Sequence, residues 1–76
     1  MEITLKLQIF ADANNNYIII EQYAKKPNFC KLWRYFINGT KISETLLTKP
    51  NAKKLCEKYL INAKLVKNYK NEKYCK

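Results

Sequence analysis

Up to Leu47 the apolar residues come in short strand-length runs; beyond it they follow a three-four spacing. Ile3, Leu5, Leu7 and Ile9 alternate with polar residues, as in a strand. Ile3, Leu7, Phe10 and Ala11 also lie on one helical stripe, so the period leaves residues 2–13 open between the two. Asn14-Asn15-Asn16 breaks whatever precedes it. Tyr17 to Ala24, with three consecutive isoleucines and two tyrosines, predicts a strand. Lys25 to Asn28 reads as a turn, and Phe29 to Ile37 as a second, aromatic-rich strand. Asn38-Gly39 suits a type I′ hairpin turn, whose two central residues both need positive φ, so Thr40 to Leu47 is the return strand. Three antiparallel strands in sequence make a meander.

Thr48-Lys49-Pro50-Asn51 opens a helix, with Thr48 as a cap and proline in the first turn. Ala52, Leu55, Cys56, Tyr59, Leu60 and Ala63 then share one face, while Lys53, Lys54, Glu57 and Lys58 point away from it. Leu65-Val66 either extend the helix or start a short strand, and residues 68–76 read as a basic tail. The expectation is an α+β fold of two layers: a three-stranded antiparallel meander packed against one or two helices, with room for a short C-terminal strand. The 76 residues make one small basic domain. Such a chain buries only about 60% of its unfolded surface, so its core is marginal.

Charge changes the picture. From Lys49 to Lys76, nine lysines against two glutamates give +7 of the chain's +9. Fourteen lysines and nine asparagines resemble AT-rich coding, but such coding raises glutamate too, and there are only five. The excess therefore points to a polyanion, and nucleic acid is the commonest that a basic domain meets.

The same composition argues against enzyme and metal chemistry. There is no histidine to serve as general base, the six acids are scattered, and a single glycine cannot build a phosphate-cradling loop. Cys30, Cys56 and Cys75 lack the paired spacing of a zinc site and read as reduced core residues; no cofactor is expected. No signal peptide is visible and no apolar run approaches the ~18 residues of a membrane span, so the expected setting is the cytosol.

Thr45-Leu46-Leu47-Thr48, then Asn51-Ala52-Lys53-Lys54-Leu55, Leu60, and Lys64-Leu65-Val66-Lys67 carry a resemblance. This order resembles the second half of the eukaryotic large-subunit ribosomal protein L-thirty-eight family, which has a Thr-Leu-Val-Val strand, a Lys-Ala-Glu-Lys-Leu helix, a turn and a final short valine strand. Glu2-Ile3, Ile9-Phe10 and Ala13 take places similar to its opening amphipathic helix, so the resemblance implies a helix over residues 2–13. Asn14-Asn15-Asn16 stand where that family carries basic residues. The resemblance implies a structural component of the large ribosomal subunit, on the cytoplasmic ribosome, bound to rRNA and to neighbouring ribosomal proteins. The rRNA-contacting residues would be Lys25, Lys26, Lys31, Arg34, Lys53, Lys54, Lys64, Lys67, Tyr69, Lys70 and Lys73. Lysines would hold phosphate or 2′-OH, and Tyr69 would stack on a splayed base.

Arg34 equally fits a cross-strand partner such as Glu21 or Glu44. A meander followed by a helix is also similar to the arm-binding domains of tyrosine integrases, with Thr48-Lys49 and Ala52 opening the helix. It resembles, more loosely, single-strand-binding transcription coactivators. A third class is a phage-type protein that blocks a host nucleoprotein, for which Trp33, Tyr35 and Phe36 would form the interface; otherwise those rings lie buried under the helix.

Overall fold

A computed structural model describes residues 2–74 of the chain. Five strands and one helix follow in the order β1 (Glu2–Ala11), β2 (Tyr17–Lys25), β3 (Cys30–Ile37), β4 (Thr40–Leu46), α1 (Ala52–Tyr59) and β5 (Lys64–Lys70). The strands form one antiparallel sheet in the order β4-β3-β2-β1-β5. This is a small α+β fold, and the expected meander is the β2-β3-β4 part of a wider sheet.

Residues 2–13 are not the helix that the ribosomal resemblance implies; Glu2–Ala11 is a ten-residue strand. Tertiary pairing decides between the two periods. β2 is hydrogen-bonded to β3 on one side and β1 on the other, so its buried backbone is satisfied only if residues 2–11 are extended. The asparagine run supplies the hairpin. Asp12 Oδ1 accepts from the backbone N–H groups of Asn14 (2.9 Å) and Asn16 (3.0 Å), and Asn15 takes φ 66°. One irregularity interrupts β1 between Thr4 and Lys6, at Leu5, which is only 1% exposed.

The Asn38-Gly39 turn has the expected positive φ at both residues, 49° and 85°. Asn38 also ties it to β2: its Oδ1 accepts from the Tyr17 N–H at 2.8 Å.

β4 and β5 lie at opposite edges, so the chain between them must cross one face of the sheet. Four inter-strand gaps are roughly 19 Å, and the eight-residue helix spans about 12 Å of that. Ile18, Ile20 and Leu60 form the buried centre of this layer. Phe10, Trp33, Tyr35, Ile37, Ala52, Leu55, Cys56 and Ala63 pack around them. The helical face read from sequence is thus the packed one, although Tyr59 is exposed. Leu60, at 6% exposure, carries the contact as the C-cap residue, whereas Leu55 is half-buried. The N-cap is Asn51 rather than Thr48: its side chain accepts from the Lys54 N–H, and Pro50 precedes it.

Two further expectations change. Residues 68–70 belong to β5 rather than to a tail, and Asn71 continues onto β1, its N–H donating to the Leu5 carbonyl at 2.8 Å. Cys30 is exposed rather than in the core; Cys56 is half-buried, and burial pushes its thiol pKa up. Cys75, read as a core residue, lies outside the described residues.

Candidate nucleic-acid interface

Opposed residues of antiparallel strands share a face, so the register sorts every sheet side chain onto the helix side or the far side. On β3, Trp33 and Tyr35 lie on the helix side and Phe36 on the far side. The three rings therefore do not make one exposed cluster. On β5, Lys70 and Asn68 stand on the helix side, opposite Lys6 and Gln8. Lys64, Lys67 and Tyr69 stand on the far side, opposite Ala11, Ile9 and Leu7.

Arg34 drops out of the expected interface. Its Nε donates to Glu21 Oε1 at 2.8 Å and its NH1 to Glu2 Oε1 at 3.0 Å, and the guanidinium lies 4.0 Å from the Tyr23 ring centroid. Burial lowers the Arg34 pKa, but the hydrogen bonds and charges of Glu21 and Glu2 outweigh this and raise it above the ordinary value. Glu21 is itself buried and also accepts from the Thr4 hydroxyl. Arg34 is an internal strut on the far side, the cross-strand option of the two open to it.

The lysines are arranged differently. Lys53, Lys54 and Lys58 are on the exposed surface of α1. Lys31 shares the helix side through its pairing with Ala24. Lys6, Lys49 and Lys70 surround a cleft of about 370 Å³, whose wall includes Trp33, Ile20, Gln8 and Asn68. Lys49 Nζ is 6.0 Å from the Trp33 ring centroid. Lys26 and Lys73 gather instead at the far corner, where Phe29 meets Tyr74 at 5.6 Å, and Lys25 ends β2 just before it. Lys26 lies over the Phe29 ring and Lys73 over the Tyr74 ring. A larger hollow near Asp12, Ile61 and Val66 mixes one acid with Lys64 and is a poor anion site.

Four of the six acids are engaged elsewhere. Glu2 and Glu21 serve Arg34, Glu44 pairs with Lys41 at 2.9 Å, and Asp12 holds its hairpin. Among the described residues, Lys41 is the only lysine in an ion pair. The helix side thus carries lysines of α1, β1, β3 and β5 with Glu57 as the acid among them.

Lys6 and Lys49 were not legible as site residues, and Trp33 was read only as part of an aromatic protein interface or as core. Lys6 and Lys70 are sixty-four positions apart and meet only because β5 returns to pair with β1. The described residues hold no cluster of three or more metal-ligating side chains, and no helix among them is long and apolar enough to cross a membrane. Compared with known protein families, curated proteins and solved structures, the chain matches none.

Proposed function

We propose that this chain is a nucleic-acid-binding protein without catalytic activity, which grips phosphates with the lysines on the helix side of its sheet. The observation that supports this reading is the segregation of charge. Four of the six acids are consumed by Arg34, Lys41 and the Asp12 hairpin, and the helix-side lysines keep their charge for a polyanion outside the protein. The lack of histidine and the single glycine favour binding over catalysis.

The ribosomal form of this reading makes large-subunit rRNA and its neighbouring proteins the partners. It rests on the resemblance through Thr45 to Val66, while the strand at Glu2–Ala11 takes the opening helix out of that resemblance. A second reading gains from the same strand. Four antiparallel strands in succession, followed by one helix on a single face, suit the single-strand-binding coactivator layout better than the three-strand meander did. Two experiments separate them. Co-sedimentation with large ribosomal subunits in a sucrose gradient at moderate salt is expected of a ribosomal component. A competition at fixed salt among folded rRNA fragments, random duplex DNA and single-stranded DNA ranks the ligands directly. Absence from ribosomal fractions together with a preference for single-stranded DNA replaces the ribosomal form with the second reading. No binding to any of the three removes both.

A further inference from the structure

Lys6 and Lys70 stand directly opposite one another across the β1–β5 pairing, and Lys49 reaches the same opening. Like charges in a direct cross-strand pair destabilise the sheet that holds them. An anion between the ammonium groups relieves that cost. The rest of the cleft is not made for an anion alone. Ile20, 1% exposed, and the Trp33 ring give it an apolar wall. Gln8 and Asn68, opposed in register, bring two amides to it. Gln8 Oε1 is buried without a hydrogen-bond partner, an expense that a folded protein rarely carries unexplained.

We infer that the cleft takes one unstacked nucleotide of a single strand. The base lies against Trp33, its polar edge meets the amides of Gln8 and Asn68, and its phosphate sits among Lys6, Lys49 and Lys70. The inference rests on the nucleic-acid reading above and narrows it to a single-stranded segment. Each part of the cleft matches a different part of one ligand. Polyphosphate uses neither the ring nor the amides, and an apolar molecule uses none of the ammonium groups. A base in a duplex is stacked between its neighbours and cannot lie against Trp33, whereas an unstacked one can. Turning the Gln8 amide about its soft terminal torsion presents either its oxygen or its NH₂ group to the base. Lys49 covers the ring in the cation–π range; the incoming base replaces it there and its ammonium turns to the phosphate. A volume of about 370 Å³ falls within the usual range for small-ligand sites.

Trp33 is the chain's single tryptophan, so its emission reports this cleft directly. The full chain is titrated at fixed salt with octauridylate, an RNA duplex, inorganic polyphosphate of equal charge, and UMP. Octauridylate should quench Trp33 and bind roughly 5- to 150-fold tighter than the duplex or polyphosphate, as expected for one stacked base. Trp33→Leu, which keeps an apolar side chain at the core, should lose that margin and bind polyphosphate as before. Gln8→Leu should also lower octauridylate affinity and leave polyphosphate unchanged. It removes an unpaired buried acceptor, so its melting temperature should hold or rise, which separates lost recognition from lost folding. Equal binding of octauridylate, duplex and polyphosphate with unchanged Trp33 emission overturns the nucleotide cleft and leaves the phosphate-binding reading standing. UMP matching the octamer's affinity overturns the strand in favour of a free nucleotide. No binding to any of the four removes both readings.

Discussion

At the scale of single residues, the instructive case is Arg34. As the chain's one guanidinium it is the natural choice for a phosphate fork. The sequence also offers Glu21 as a cross-strand partner, but it gives no sign that Glu2, thirty-two positions away, closes on the same side chain. Stacked on Tyr23 and bonded to two carboxylates, Arg34 holds the far side of the sheet together. Arg34→Ala leaves the buried Glu21 carboxylate without its cation, which costs about 3 kcal/mol, read as a lower urea midpoint. Its nucleic-acid affinity, measured where it is fully folded, should not change; a selective loss of affinity would return Arg34 to the interface. Asp12 is the second case. Burial pushes its carboxyl pKa up, but amide hydrogen bonds from Ile61, Asn16 and Asn14 outweigh this and hold it below the ordinary 3.8. A depressed folded pKa contributes stability that is present above the unfolded value and lost as pH falls through the folded one. The stability margin of the wild type over Asp12→Asn should therefore be constant above about pH 5 and shrink below about pH 4. A margin independent of pH would mean that the hairpin does not depend on the charge.

At the scale of elements, what could be read was local chemistry, and what could not was pairing. β2, β3 and β4 were legible because the isoleucine run, the aromatics and the Asn38-Gly39 turn all agree over short stretches. β1 was not, because Ile3 and Leu7 satisfy both periods and only the neighbouring strand chooses between them. β5 is exposed along its whole length. It has no buried alternation to reveal it, and its backbone bonds to β1 hold it in place. The capping signal was ambiguous as well: Thr48 and Asn51 are both good caps, and the side chain that reaches the Lys54 N–H decides. The hairpin gives the sharpest element-level test. Gly39 sits at φ +85°, and a Cβ there would lie 2.9 Å from the Tyr17 hydroxyl. Gly39→Ala should thus destabilise the fold by more than about 1 kcal/mol in chemical denaturation. Adding Tyr17→Phe should recover only the part due to the collision, and full recovery would show that the positive φ costs nothing.

At the scale of the whole molecule, the path of the chain turns a charge run into a surface. Read along the sequence, Lys64, Lys67 and Lys70 form one footprint and Lys6 lies outside it. Folded, the first two face away from the third, and Lys6 joins Lys70 and Lys49 at the mouth of the cleft. The crossing of α1 from one sheet edge to the other makes this possible, because it returns the last strand to the first and lays Lys53, Lys54 and Lys58 over the same side. The proposed footprint thus belongs to the topology, and salt dependence measures it. Each lysine that releases a counterion from single-stranded nucleic acid contributes about 0.7 to the slope of log affinity against log salt. Replacing Lys6, Lys49 and Lys70 together by Ala should flatten that slope by about 2. Replacing Lys25, Lys26 and Lys73, of which the last two lie over the Phe29 and Tyr74 rings, removes the same net charge and should leave the slope nearly unchanged. The first variant should also melt no lower than the wild type at low salt, because it removes the Lys6–Lys70 repulsion. Equal flattening by both variants would mean that nucleic acid responds to net charge alone and that the helix side holds no defined site.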